Sequence, residues 1–421
     1  MSVIIDNEPR DYAWGGPRAI QNLRGQPSIA YHTSRHTSAG WANTDPAAPE
    51  AELWLGTHPS WPSIVVSEPF EGITLPEALK ACEQPAELGY LLKLLTVERP
   101  LSLQVHPDDA QARDGYAREN AMGIPVGDAT RNYRDPHPKP EMLLALSDQF
   151  ELCAGIREID DILIDLRRAG RSAERDGSAT RMLRAIWQEF ADTLIDQRTV
   201  DRAVHWLLDD GASRAAEVTE AIVQRSRRGA STFGIERDTL IRRLDECFPG
   251  DVGIALSLLL RHELLRRGQA IYLEPGTPHF YIRGAGIELM GPSDNVVRAG
   301  LTGKHVDRLE AMRLMKTVPS APRHLFEYHK GATTVFHAAG AGLRLAHATA
   351  RAGEHIALPF EAGDAVYVLS GSAVVDDRDG SRQTLRHGQA AILIDALRLE
   401  LHGGEHERAQ LVLAGATVPE A

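Results

Sequence analysis

The chain has 421 residues, 43% hydrophobic and 25% charged, an ordinary globular composition with room for two or three domains. A formal net charge of −12 argues against a nucleic-acid binder, which would present a basic face. It still allows a local Lys/Arg cluster that meets an anionic small molecule.

The N-terminus, Met1-Ser2-Val3-Ile4-Ile5-Asp6, has neither a basic n-region nor a long apolar core. The apolar run at 257–260 is too short to cross a bilayer. A cytoplasmic protein without membrane contact is the expectation. Cys82, Cys153 and Cys247 match no CxxC spacing, so they read as buried small hydrophobes rather than disulfides or thiolate ligands.

Up to about residue 155 the chain is rich in Gly, Pro and short apolar runs. Segments 63–66 and 101–105 read as strands bounded by turn formers. On the second, Ser102, Gln104 and His106 share one face, and Leu101, Leu103 and Val105 the other. A barrel strand can present ligands to a lumen in this way. Glu141 stands just before the apolar run 142–146, which reads as a buried strand.

From about 160 to 265 the texture turns to Arg, Glu, Leu and Ala. Helical spacing over 182–190, 200–208 and 239–244 predicts a helical insertion. Strand character returns at 270–273, followed by the Pro275-Gly276 turn and His279. From about 335 onward, short strands such as 365–369 and 390–394 alternate with Gly and Asp turns, which suggests a β-barrel or jelly roll. No repeat of solenoid period is present.

Three distant segments offer donors for one divalent ion: Gln104-Val105-His106, Lys139-Pro140-Glu141, and the stretch that reaches His279. Two imidazoles, a carboxylate and an amide oxygen suit zinc, and leave room for water or substrate. Strand geometry by itself aims only Gln104 and His106 together. By itself His279 reads as an ordinary hydrogen-bonding histidine, and Glu141 as an ion-pair partner of Lys139.

Several segments, in this order, resemble type I mannose-6-phosphate (phosphomannose) isomerases of the cupin superfamily. They include Tyr12-Ala13-Trp14-Gly15-Gly16, Ala51-Glu52-Leu53-Trp54-Leu55-Gly56-Thr57-His58-Pro59, Leu91-Leu92-Lys93-Leu94-Leu95 and the 101–108 stretch. Lys139-Pro140-Glu141-Met142, Phe248-Pro249-Gly250-Asp251-Val252-Gly253, 275–279 and Ser293-Asp294-Asn295-Val296-Val297-Arg298-Ala299-Gly300 continue the match. It spans residues 11 to about 307. Two departures stand out: Pro138 rather than His precedes Lys139, with His137 one place earlier, and Gly303 replaces a proline common in Leu-Thr-Pro-Lys.

The resemblance implies a mainly β fold with an α-helical insertion, built of cupin-type (jelly-roll) β-barrels. A catalytic barrel would comprise 1–155 and 266–320, the insertion 156–265, and a degenerate C-terminal cupin-like barrel 321–421. The tail histidines His337, His347, His355, His387, His402 and His406 show no paired spacing, so that last barrel is expected to lack a metal of its own.

Carried over by position, Gln104, His106, Glu141 and His279 would hold one Zn2+ per chain. Arg298, Lys139, Glu288 and Asp294 would be catalytic, and Ser102, Lys93 and Lys304 would meet substrate. The implied reaction interconverts D-mannose 6-phosphate and D-fructose 6-phosphate through an enediol, in a monomer acting on a phosphorylated hexose. Glu288 and Lys139 compete for the role of base, and the phosphate ligand stays open among Lys93, Lys139, Arg298 and Lys304. The alternatives are a metal cupin that isomerises another sugar, or a sugar-binding cupin without turnover.

Overall fold

The computed structural model describes residues 1–25, 47–175, 181–210, 212–228, 232–325, 327–330, 332–338 and 342–416. The fold is mainly β with a helical insertion, and it organises around one strand, His279–Met290. The first part of that strand pairs with Gln149–Ile156, and His279 also meets Gln104 of Leu103–Val105. Its second part, from Gly284 onward, pairs with Leu91–Val97 on one side and Glu141–Ala145 on the other. The strand therefore belongs to two sheet surfaces and turns a corner between them.

Gly284 supplies that corner. Its φ is 130°, and a Cβ there would lie 2.8 Å from Phe150 and 2.9 Å from Ser147. Only glycine combines such a backbone angle with so close an approach.

Alternation then sorts the side chains into layers. Leu92, Leu94, Met142, Leu144, Ile287 and Leu289 point outward into a core shared with Val3, Ile5, Tyr367 and Ile392. Leu103, Val105, Phe280, Ile282, Val297 and Ala299 point to the opposite outside, where the helices cover them. Leu95, Leu143, Ala145, Phe150, Leu152 and Tyr281 fill the space between. Both outer faces are covered, so the strands read as apolar runs rather than clean alternations.

The helical reading holds over Arg181–Asp192 and Ile235–Cys247; the 200–208 stretch forms Asp201–His205 and then a π-helical turn, Trp206–Asp210. The insertion is shorter than the expected 156–265. Its last helix ends at Ser257, and Leu260–Arg266 is a strand paired with Gln149–Ile156. Leu-Arg-His-Glu-Leu-Leu-Arg has good helix formers, but cross-strand pairing overrides local propensity. The helix Asp109–Ala121, capped by Asp108 with Gln111 reciprocating, was not expected.

The expected strands at 101–105 and 63–66 are shorter, Leu103–Val105 and Ile64–Val65. The described sheets do not close into hydrogen-bonded barrels; they pack as open, jelly-roll-like layers. Toward the C-terminus, an eight-stranded sheet faces a four-stranded one around Ala346, Val366, Ala373, Leu399 and Leu411. Val3–Asp6 joins this larger sheet by pairing with Ala390–Ile392. A contact across almost the whole chain has no local sequence signal.

Of the cysteines only Cys153 is buried; Cys82 and Cys247 are half-buried, because each lies at the end of a helix near the surface. No described helix is long and apolar enough to cross a membrane. The side chain of His337 lies outside the described residues.

Candidate active site

Period-two alternation that sends Met142, Ile287 and Leu92 outward sends Glu141, Glu288 and Lys93 inward. Likewise Leu103 and Val105 face the helices while Gln104 faces the interior, and Phe280 faces the helices while His279 and Tyr281 do not. The polar residues thus converge on one cleft of about 790 Å3. Lys93, Ser102, Gln104, Lys139, Glu141 and Glu288 reach its wall, as do Asp294, Arg298 and Lys304.

His106 and His279 are buried beside Glu141, at 3% and 1% exposure. Their Nε2 atoms lie 3.3 and 3.2 Å from the Glu141 carboxylate oxygens. His106 Nδ1 faces the carbonyl of Asn295 at 2.8 Å, and His279 Nδ1 that of Thr277 at 2.9 Å. A carbonyl only accepts, so each Nδ1 carries the proton and each Nε2 presents a lone pair.

Those two Nε2 atoms and Glu141 Oε2 are buried without a hydrogen-bond partner despite their short separations. Lone pairs facing lone pairs in a dry site would be costly unless a cation sits among them. Ring nitrogens oriented through the other nitrogen by a backbone carbonyl are the usual outer support of metal-ligating histidines. The donor atoms of His106, Glu141 and His279 lie within 4.8 Å of one another, so the group can hold a divalent ion. Gln104 stands opposite His279 in the strand register, on the same wall.

Charges around this group reinforce it. Burial, with Lys139 assisting, pulls the His106 imidazole down to about 4, so it stays neutral and able to ligate. Burial pushes the Glu141 carboxyl up, but the Lys139 ammonium, 3.1 Å away, outweighs it and holds it well below the usual range.

Next to this lies a second cluster. Lys93 Nζ is 3.1 Å from Glu288 and 3.7 Å from Glu52, and stands 5.0 Å over the Trp54 ring. Burial would lower the lysine, but Glu52, Glu288 and Glu141 together raise it, so it stays charged. Burial raises the Glu288 carboxyl, with Lys93 opposing, and Tyr281 donates to it at 3.0 Å.

Asp294 rests 3.4 Å from His58 Nε2, whose Nδ1 accepts from Ser60. Burial raises Asp294, yet His58 and the nearby lysines outweigh it and its pKa falls. Asn295 is fully buried and ties this segment down: its amide donates to Asp135 and His137 carbonyls and accepts from Arg134 N–H. Arg298 is opposite Gln104 in register. Burial first, then Arg134, lowers the pKa of Arg298, and burial with Arg298 and Arg134 does the same to Lys304.

Sequence reasoning assigned no role to Glu52, Trp54, His58, Tyr281 or Arg134. Tyr281 was findable, because it lies two residues after His279 on the same strand face. Arg134 had no signal. His137 is exposed, with its carbonyl rather than its ring held in the site.

Residues 4–159 match the family model for the catalytic domain of type I phosphomannose isomerase. The mannose-6-phosphate isomerase of Salmonella typhimurium is 30% identical over 415 residues, covering 95% of this chain and 92% of the relative. The chain belongs to the mannose-6-phosphate isomerase family. The Escherichia coli member is 31% identical over 320 residues, covering 74% of this chain and 73% of its own.

Among solved structures of the mannose-6-phosphate isomerase family, one from Salmonella typhimurium, bound to its substrate and to zinc, superposes with a TM-score of 0.77. It is 28% identical and covers 99% of this chain and 100% of its own. Another, bound with zinc and yttrium, also gives 0.77, at 27% identity over 99% and 100% of the two chains. Family membership and the donor set together support a metal-dependent isomerase.

Proposed function

We propose that this chain interconverts D-mannose 6-phosphate and D-fructose 6-phosphate, using one zinc ion held by Gln104, His106, Glu141 and His279. The observation that carries the reading is the trio of buried, unpartnered donor atoms beside a cleft rimmed by cations. Zinc supplies Lewis-acid polarisation of a substrate oxygen when bound.

The chain's own residues do the rest. Opening the sugar ring and moving a proton between C2 and C1 through an enediol places negative charge on oxygen. Arg298 is charged at any working pH and stabilises that charge from the cleft wall. Lys139, beside Glu141, adds a second cation there and orients a hydroxyl.

The Glu288–Lys93 pair carries the proton: a buried carboxylate with a raised pKa and an adjacent ammonium is poised to accept and return it. Asp294, aligned by His58, assists at the ring oxygen. Lys304, with Arg134 nearby, suits the phosphate, and Ser102 a sugar hydroxyl. Lys93 is committed to Glu288 and Glu52, which argues against phosphate binding there.

The same reading takes 1–155 with 260–320 as the catalytic unit, the helical stretch between them as the insertion and 321–421 as a cupin-like partner, in a cytoplasmic monomer. The test is a coupled assay of mannose 6-phosphate conversion after chelation and re-addition of single metals. Loss on chelation and recovery with zinc is the expected result. Turnover indifferent to chelation, turnover only of unphosphorylated sugars, or binding without turnover would overturn it.

A further inference from the structure

The Phe248-Pro249-Gly250-Asp251-Val252-Gly253 segment lies in the helical insertion, outside the sheets that carry the site, and nothing above gives it a task. Yet Asp251 Oδ1 accepts the backbone N–H of Leu301 at 2.9 Å and that of Gly253 at 2.7 Å. Its Oδ2 accepts from Thr302 N at 3.4 Å. Leu301 is a non-glycine residue at φ 55°, a left-handed conformation that persists only when the surroundings impose it.

Two forces impose it. The Leu301 side chain is 1% exposed and sunk in the core of the helical insertion. The Asp251 carboxylate holds the amides on the other side of the same turn. Glycines clear the way: a Cβ on Gly300 would meet Asp251 Oδ1 at 2.8 Å, and one on Gly253 would meet Leu301 Cγ at 2.7 Å.

Directly after this knot come Thr302, Gly303 and Lys304, all on the cleft wall, together with Phe248. Lys304 Nζ stands 5.8 Å from the ring centroids of both Tyr12 and Trp14. Gly303 has no neighbour within 4 Å of the position a Cβ would take. Packing at Gly303 therefore does not fix the rim, and its path is set from the Leu301 side. Arg298 sits three residues before the knot, on the strand Val297–Gly300.

We propose that Asp251 is a positioning residue: by clamping the left-handed turn at Leu301 it fixes the rim that carries Lys304 into the cleft, and so sets affinity for the phosphorylated end of the substrate. The idea rests on the isomerase reading for its substrate, but not for the clamp. Charge-assisted acceptors are shorter and stronger than neutral ones, so an amide in place of the carboxylate weakens the hold without emptying the space.

Two measurements on the zinc-loaded full chain test it. In Asp251→Asn, hydrogen exchange of the peptide spanning 298–304 should quicken while the Glu141–Ala145 strand stays protected. KM for mannose 6-phosphate should rise about tenfold, with kcat falling less, and combining Asp251→Asn with Lys304→Met should raise KM no further than Lys304→Met alone. Should Asp251→Asn fail to fold, Gly300→Ala strikes the same contact from the other side and should give the same pattern.

Unchanged exchange at 298–304, or KM effects of Asp251→Asn and Lys304→Met that multiply in full, would overturn the proposal. If the wild-type chain shows no turnover, the isomerase reading fails and the exchange result still decides whether the clamp exists.

Discussion

Tyr281 donates its hydroxyl to Glu288 at 3.0 Å, although the two stand seven residues apart on the same strand. In a straight strand that separation is ~23 Å, with the side chains on opposite faces. The bond exists because the strand folds at Gly284, which brings His279 and Tyr281 from one sheet surface against Lys93, Glu141 and Glu288 from the other. The corner builds the site.

Gly284→Ala is therefore expected to lose stability and function together. The new Cβ would crowd Phe150 and Ser147 and sit at an unfavourable φ of 130°. Left-handed strain and overpacking add to about 2–4 kcal/mol. Denaturant unfolding of wild type and variant measures it. A variant within about 0.5 kcal/mol of wild type would show that the corner does not depend on glycine.

The unpartnered donors predict where metal binds. Glu141→Gln and His106→Ala should each weaken zinc binding by more than about 100-fold, since even outer-shell losses cost 10–100-fold. Titration calorimetry on chelator-stripped protein reads this directly. Wild-type protein that takes up no zinc would remove the basis for the site.

Arg298→Met separates charge stabilisation from metal binding. Its kcat should fall about hundredfold, the usual cost of removing one such donor, while zinc affinity holds. A change confined to KM would reassign Arg298 to binding alone.

Stability should depend on acid through Glu310, away from the cleft. Burial raises this carboxyl, but Arg313, Tyr133 and Arg118 outweigh it, so its folded pKa lies below the ordinary 4.5. A depressed carboxyl contributes stability in full above its unfolded pKa and loses it as pH falls through the folded one. Glu310→Gln should thus be less stable than wild type at pH 7, by about 1–3 kcal/mol for charged hydrogen bonds, and the gap should hold down to the ordinary 4.5 and narrow as pH falls from there through the lowered folded pKa. A gap that stays constant with pH would mean that the carboxylate's charge is not what matters there.

Much of the site could be read before any fold was known. The Gln104-Val105-His106 spacing aims two side chains one way through strand geometry alone. Glu141 could be placed just before a buried strand and His279 after a Pro-Gly turn at the end of one, although their meeting came only with the family resemblance. Helices at 182–190 and 239–244 followed from periodicity. Leu260–Arg266 did not, because a strand paired on an outer sheet can be composed of helix formers.

What the sequence determined by itself is local: which residues alternate, where helices and turns start, and which side chains could ligate or carry charge. Tertiary structure alone decided the rest. The corner at Gly284, the pairing of Val3–Asp6 with Ala390–Ile392, and the reach of Asp251 to Leu301 all join residues through backbone hydrogen bonds or close approach. Such contacts depend on the path of the whole chain. No period, propensity or spacing along one segment records which distant backbone will lie beside it.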